Sequence, residues 1–262
     1  MPVMQETTRK GLALALALLA GIAAAPAALA DAGHGSTAAA MDDAVKSPRK
    51  EAVSAEFDIL AAHVHRDGRL VTFHMTLATD AGTRLPDPAG QLAGAPVLSY
   101  VWPTSLDPAT VGFEGGSGIL ALAATSHPDF DDTPLYDEDG DGDLANDGAR
   151  WHSHWVVLAP NEACGAGALA VRDIPDGATP ALPATWPGLP LYIDSPGYTP
   201  RFEGPEIRLT VPFRDAEILA GTSYDGVTAA LQVHADLHAP LLCVTDVFDV
   251  ASGDLSLPGK VK

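Results

Sequence analysis

The sequence is short of basic residues, and it lacks the short motifs that mark common enzyme classes. Its 262 residues include 15 Lys and Arg against 34 Asp and Glu, which gives a net charge of -19. Such a charge repels nucleic acid and anionic membrane surfaces, so we expect neither as a partner. The sequence contains no Gly-x-Ser-x-Gly, no phosphate-binding glycine loop, no His-Glu-x-x-His and no Cys-x-x-Cys. Nothing in it therefore indicates the serine hydrolases, nucleotide-binding enzymes, zinc proteases or thiol oxidoreductases that these motifs mark.

Long apolar segments are also missing, except at the start of the chain. Arg9 and Lys10 precede an apolar segment over residues 11–25, and Ala28-Leu-Ala30 follows it. This order predicts a secretory signal peptide over residues 1–30. No later apolar segment approaches the roughly 20 residues that a membrane helix needs. We therefore expect an exported protein, periplasmic or secreted, without a membrane span.

Cysteine is scarce, because the chain has only Cys164 and Cys243. In an oxidising compartment a single pair of cysteines favours a disulfide, which would constrain the unfolded chain over a long loop. The alternative is a Cys thiolate with histidine neighbours, as in copper electron-transfer sites.

The chain organisation predicts a signal peptide, a leader and one β domain. Residues 31–52 contain few large apolar residues and predict a flexible leader. Residues 53–262 contain short strand-like segments separated by Gly, Pro and Asp, which predicts a single antiparallel β-sandwich, Ig-like or jelly-roll-like, of about ten strands. The predicted strands lie near Ser54–His65, Arg69–Ala78, Pro96–Pro103, Gly118–Ser126, Arg150–Leu158, Ala168–Ile174, Leu189–Ile193, Glu206–Pro212, Thr228–His238 and Leu242–Ala251.

An acidic segment before one predicted strand has the spacing of a cation-binding loop. Asp137, Asp139 and Asp141 occupy positions 1, 3 and 5, and a glycine fills position 6, where the backbone must turn sharply. Over about a dozen residues the segment resembles an EF-hand-type calcium loop, and the resemblance implies Ca²⁺ as ligand. Asp143 stands at position 7, and Asp147 or an upstream aspartate would replace the glutamate that is missing at position 12. The alternative is a solvated Asp/Gly turn.

Paired histidines are the second feature that indicates metal binding. His152 and His154 are two residues apart on a predicted strand and therefore share a face. His234 and His238 flank Asp236 on another predicted strand and share a face in the same way. Imidazole with carboxylate suits Cu²⁺ or Zn²⁺, so we expect three or four of these side chains to form one site if two strands are neighbours. A further pair, His63 and His65, is a weaker candidate, and the single histidines His74 and His127 are not predicted ligands.

These observations favour a non-enzymatic, exported metal-binding protein. Calcium would fix the acidic loop ahead of the His152 strand, and the histidines would capture, buffer or deliver copper or zinc, with another periplasmic protein as a partner in delivery. One alternative is a metalloenzyme in which histidines leave an open coordination position. Another is a calcium-stabilised module that binds carbohydrate or protein through the proline-rich, aromatic-containing segment 175–205.

Overall fold

The computed structural model describes residues 43–262, so the predicted signal peptide and residues 31–42 of the predicted leader lie outside the described residues. The described residues form fourteen strands and several short 3-10 turns. The strands are β1 (Val45–Lys46), β2 (Ile59–Asp67), β3 (Leu70–Leu77), β4 (Pro96–Pro103), β5 (Ile119–Ser126), β6 (His152–Pro160), β7 (Leu169–Val171), β8 (Ile193–Asp194), β9 (Arg201–Glu203), β10 (Glu206–Pro212), β11 (Ser223–Tyr224), β12 (Val227–Val233), β13 (Leu242–Val250) and β14 (Gly259–Lys260). The 3-10 turns are Pro108–Val111, Asp147–Ala149, Glu162–Cys164 and Ala216–Leu219.

The strands form two main antiparallel sheets. The first has five strands in the order β1-β2-β3-β10-β9. Its β2–β3 hairpin turns at Gly68-Arg69, where Gly68 has a φ of 58°, a left-handed conformation that glycine adopts without steric cost. Strand β1 belongs to the segment predicted as a flexible leader, and it pairs with β2 through Val45 and Lys46. Residues 45 and 46 are therefore part of the five-stranded sheet.

The second sheet closes into a six-stranded barrel in the order β5-β4-β12-β13-β7-β6. Closure occurs because β6 pairs with β7 on one side and with β5 on the other. Strand β8 adds to β6 outside this ring. The prediction of an antiparallel all-β fold is confirmed, but the described residues form a closed barrel with an added sheet instead of the predicted sandwich.

Side chains of the barrel strands alternate between two cores. One core lies between the five-stranded sheet and the barrel, where the Phe73 ring meets Trp102 and Trp155 edge-on at centroid distances of 6.2 and 5.8 Å. The other core lines the inside of the barrel and consists mostly of valine, leucine and alanine side chains. On β6 the inward-facing residues are therefore the alternate ones, and they begin with His152 and His154.

The predicted strand Thr228–His238 is too long at its C-terminal end. Strand β12 ends at Val233, and the chain then turns, with the His234 N–H donating to Leu241 O at 2.7 Å. The Asp236 carboxylate accepts the His238 N–H at 3.0 Å, a local bond that competes with strand pairing. The prediction that His234, Asp236 and His238 share a strand face is therefore wrong.

A disulfide links the turn after β6 to strand β13. Cys164, in the turn after β6, is bonded to Cys243 on β13, with their Cα atoms 5.5 Å apart. Both cysteines are used, so no free thiol exists for a copper-thiolate site. Within residues 43–262, no helix is long and apolar enough to cross a membrane.

Candidate metal centre

Three histidines and one aspartate converge at one end of the barrel. His127 directly follows β5, His152 and His154 are on β6, and Asp132 lies in the connection between these strands. The pairing of β5 with β6 places Thr125 opposite His152 and Ala123 opposite His154, so both β6 imidazoles lie beside the end of β5. All four side chains are at most 6% exposed.

Three of the separations among the four side chains are those of a tetrahedral ligand set. Asp132 Oδ1 lies 3.3 Å from Nε2 of each of the three histidines. His127 Nε2 and His152 Nε2 are 2.9 Å apart. Metal bonds of about 2.0–2.1 Å in a tetrahedron place the ligand atoms roughly 3.3–3.4 Å from one another. The three distances to Asp132 match this edge, and the His127–His152 distance is slightly shorter.

Hydrogen bonds at the other ring nitrogens orient the imidazoles. His127 Nδ1 lies 2.9 Å from Phe130 O, and His152 Nδ1 lies 2.7 Å from Arg150 O. A carbonyl oxygen can only accept, so each Nδ1 carries a proton. The Nε2 atom of each ring then faces Asp132. A carbonyl partner behind each ligating imidazole is the usual support of a protein metal site.

His154 is held by a hydroxyl that also holds the loop of Asp132. Ser195 Oγ donates to Asp132 O at 2.6 Å and lies 3.2 Å from His154 Nδ1. Because the Ser195 proton is used toward Asp132, its oxygen accepts the Nδ1 proton of His154, which is also 3.3 Å from Asp194 O. Ser195 therefore fixes both the tautomer of His154 and the position of Asp132.

The surrounding protein leaves part of the centre unpaired, although Thr125 Oγ1 lies 3.1 Å from His152 Nε2. Asp132 Oδ1 and His154 Nε2 are buried and have no hydrogen-bond partner in the described protein. Burial raises the pKa of Asp132, but His154 and His127 outweigh it and hold this pKa well below its usual value. An ionised carboxylate beside three imidazoles is a ligand set in which a metal ion takes the place of the protons on the imidazoles.

Two packing contacts hold His127 in place. The Phe130 ring stacks on the His127 ring at a centroid distance of 3.9 Å. Gly148 approaches the backbone of the same segment, and a Cβ at this position would stand 1.8 Å from Phe130 O and 2.5 Å from His127 O. Only glycine fits here, because any side chain would displace the carbonyl that orients His127.

The predicted calcium loop forms an exposed group apart from this centre. Ligand atoms of Asp137, Asp139 and Asp141 lie within 4.8 Å of one another, and the Asp137 carboxylate accepts backbone N–H groups of Gly140, Asp141 and Gly142. Asp143 instead accepts the N–H of Ala145. Calcium binding by this loop stays a prediction.

Asp147 belongs to a different acidic group from the one predicted. Its carboxylate lies with those of Asp131 and Glu138, and all three offer ligand atoms within 4.8 Å of one another. Asp147 is 1% exposed, and its Oδ2 accepts the Glu138 N–H at 2.8 Å. Burial raises the pKa of Glu138, and the neighbouring Asp131 and Asp147 add to this rise.

The remaining predicted ligands do not join His152 and His154. His238 is exposed and pairs with Asp173 at 2.8 Å and Asp176 at 3.2 Å. The hydrogen bond that His238 Nδ1–H donates to the Asp173 carboxylate raises the pKa of His238. Among the described residues, no group of three or more converging metal-binding side chains includes His234, Asp236 or His238, or the pair His63 and His65.

Sequence reasoning missed His127 and Asp132. A usable signal was present, because consecutive strands usually pair, and pairing β5 with β6 brings the residue after β5 next to the start of β6. Asp132 has no comparable signal, since it lies in an irregular connection among several other acidic residues.

The metal-binding end of the barrel adjoins an internal cavity of about 400 Å³. His127, Asp132 and His154 line this cavity, whose wall otherwise consists mainly of aliphatic side chains from the barrel strands.

Searches against protein-family models, curated proteins and solved structures found no match to this chain.

Proposed function

We propose that this protein binds one transition-metal ion, with zinc as the best fit, through His127, Asp132, His152 and His154. The observation that carries the proposal is the set of three equal 3.3 Å distances between Asp132 Oδ1 and the histidine Nε2 atoms. These are the edges that a tetrahedral ion with nitrogen and oxygen ligands requires.

The ligand types favour zinc over the other expected ions. Calcium and magnesium select oxygen ligands, and this group offers three imidazoles. Cu²⁺ accepts imidazole but prefers a square or tetragonal arrangement, which the tetrahedral separations do not match. Zinc has no such preference and is commonly four-coordinate with histidine and carboxylate ligands.

The burial of the site favours tight retention of the ion. Four protein ligands complete a tetrahedral sphere, and all four are buried, so exchange requires the protein to open locally. This is a metal-storing or metal-stabilised protein, not a rapid donor. The disulfide between Cys164 and Cys243 fits the predicted export to the periplasm or the medium, where such bonds persist.

Elemental analysis of protein purified without chelators tests the proposal. We expect one zinc ion per chain in the wild type and less than one tenth of this in His154→Gln and Asp132→Asn. The control variants His234→Gln and His238→Gln should keep the full amount. An unchanged zinc content in both His154→Gln and Asp132→Asn, or its loss in the two controls, would show that the ion binds elsewhere or not at all.

A metalloenzyme is the second candidate, because the cavity reaches three of the four ligands. A zinc ion that expands to five-coordination could accept a substrate atom from that side. Cobalt substitution distinguishes the two functions. A visible spectrum that changes on addition of azide indicates an accessible coordination position, and an unchanged spectrum indicates the closed sphere of a storage or structural site.

A further inference from the structure

We propose that the barrel interior binds a small monocarboxylate with an apolar tail, whose carboxylate reaches the metal centre. The inference rests on the proposed metal site, because the positive charge of the metal-loaded centre attracts the carboxylate without replacing a protein ligand. It names the class of molecule that the cavity accepts.

The cavity is large and apolar enough to hold such a tail. Inward-facing aliphatic side chains form most of its wall, and its volume is about 400 Å³. A cavity of about 150 Å³ lined in this way stays dry and binds benzene, so this volume corresponds to roughly 16 non-hydrogen atoms. The space exists partly because small side chains stand where larger ones would fill it, among them Ser99, Ala123 and Ala229.

The two ends of the cavity differ in polarity and exposure. His127, Asp132 and His154 form a buried polar end near the C-terminus of β5. Ile119 lines the cavity at the opposite end of β5 and is 39% exposed. Val247 and Leu255 also line it and are 47% and 39% exposed, as apolar side chains are at an entrance. An elongated molecule would therefore bind with its polar group at the buried end and its apolar tail toward the exposed end.

The segment after β13 has an unusual backbone at this cavity. Leu255 and Leu257 both line the wall, and both have left-handed φ values, 57° and 52°. A branched side chain rarely adopts this conformation, and it persists only where the surrounding structure enforces it. Here the left-handed conformation occurs at two leucines whose side chains line an apolar cavity.

The charge balance at the buried end favours an anionic group. Asp132 is the only acidic residue of the described chain in the cavity wall, and the three histidine ligands are neutral when bound to a metal. The carboxylates of Asp194 and Glu138 interact with His154 and His152 from outside the cavity wall. Within the wall, a divalent ion with one carboxylate keeps one positive charge, and a buried charge is stabilised by a counterion. A carboxylate at the end of an apolar tail supplies this counterion.

Calorimetric titration of the zinc-loaded protein with straight-chain fatty acids tests the inference. Each added methylene should raise affinity about fourfold as long as it enters the cavity. The rise should stop near tetradecanoate, which has 16 non-hydrogen atoms, and octadecanoate should gain nothing further. Decanoate should bind at least tenfold more tightly than decanol. Equal affinity for decanoate and decanol, or a chain-length series without a limit, would overturn the inference.

A cavity-filling variant gives a second test. Ala229→Leu should weaken tetradecanoate binding at least tenfold with one zinc ion still bound, and Ala181→Leu, an exposed control outside the cavity, should change neither property. If Ala229→Leu does not fold, the chain-length series on the wild type decides. Zinc content is measured separately, so a protein without zinc overturns the proposed function and this inference together. A protein with zinc whose Ala229→Leu variant binds normally overturns only the inference.

Discussion

Each histidine of the candidate metal centre uses its two ring nitrogens for different purposes. The Nδ1 atoms of His127 and His152 bond to backbone carbonyls, and His154 Nδ1 bonds to Ser195 and the backbone beside it. The Nε2 atoms converge on Asp132. The orientation of the ligands therefore depends on residues that do not touch the ion, and these residues make specific predictions.

Substitution of Ser195 by alanine is expected to weaken zinc binding without unfolding the protein. The change removes the acceptor of His154 Nδ1–H and the donor to Asp132 O, so both ligands lose a constraint. Losses of this kind typically reduce metal affinity about 10- to 100-fold. A competition titration with a zinc chelator measures it.

Ser153→Ala is the matched control for this experiment. Ser153 lies between the two β6 histidines, but its side chain points to the opposite face of the strand and its buried Oγ has no hydrogen-bond partner in the described protein. Zinc affinity should be the same as in the wild type. Equal losses in Ser195→Ala and Ser153→Ala would mean that the effect comes from a general disturbance of the strand.

Gly148 explains why the acidic segment departs from the calcium-loop pattern. The twelfth position is glycine because the backbone carbonyls of Phe130 and His127 occupy the space of a side chain. Gly148→Ala should lower the free energy of unfolding by about 1–3 kcal/mol, as overpacking does, and should also weaken zinc binding.

Gly115→Ala is the control, because its added Cβ would meet nothing closer than Asp107 Oδ1, at 3.3 Å. Chemical denaturation and zinc titration of both variants measure the two effects. Normal zinc affinity in Gly148→Ala would show that the position of His127 does not depend on this close approach.

At the scale of elements, strand patterns could be predicted well and short strands could not. The bounds of β4 and β10 are those expected from the sequence, and β6 was correctly predicted as a central strand with His152 and His154 on one face. Strands β1, β9, β11 and β14 were missed. They are two or three residues long, so tertiary pairing decides their existence and local pattern does not.

The candidate site could be predicted only in part for the same reason. His152 and His154 lie on a long alternating strand, and their shared face follows from strand geometry. Asp132 lies in an irregular connection, whose path depends on tertiary packing. Asp236 shows the opposite error, since its side chain bonds to the backbone and ends the extended pattern before His238.

The disulfide stabilises the part of the barrel where β7 is the short link between β6 and β13. Strand β7 has only three residues and is the only link between β6 and β13 in the ring. Cys164 and Cys243 are 79 residues apart, and a bond across this separation should contribute about 4 kcal/mol by restricting the unfolded chain.

The double variant Cys164→Ser and Cys243→Ser should lose most of this free energy, as measured by urea denaturation. Reduction of the wild type should have the same effect. If the free energy of unfolding falls by less than about 1 kcal/mol in both experiments, strand pairing alone keeps this part of the barrel closed.

His74, on the outer face of the five-stranded sheet, makes the stability of the fold sensitive to mild acid. Burial, with Arg208, His63 and His65 nearby, lowers the pKa of His74 from 6.5 to about 4. The unfolded chain therefore binds this proton more readily than the folded one. The contribution of neutral His74 is complete above pH 6.5 and is lost as the pH falls toward 4, by about 3 kcal/mol.

His74→Gln removes this titration. Its free energy of unfolding should fall less between pH 7 and pH 4.5 than that of the wild type, in urea denaturation at both pH values. Parallel declines in the two proteins would contradict the assignment to His74.

At the scale of the whole molecule, closure of the barrel was beyond prediction. A strand that is buried on both faces has the same pattern in a sandwich and in a barrel. The difference depends on whether β5 pairs with β6 as well as with β4, which is a long-range property of the ring.

Metal binding should stabilise the molecule as a whole. A ligand that binds only the folded state adds about 2.7 kcal/mol when its free concentration is 100 times its Kd. Addition of a chelator should therefore lower the thermal unfolding temperature of the wild type by several degrees and leave that of His154→Gln unchanged. Equal shifts in both proteins would place the stabilising ion at another site.

The four candidate ligands lie between residues 127 and 154, on two consecutive strands and their connection. Bringing the four ligands together requires only a short loop of chain to close. Completing the barrel requires β12 and β13, which are synthesised much later. The ion can thus be captured while the ring is still open. We expect the last strands to enclose it, so the order of synthesis would itself make the uptake of the metal hard to reverse.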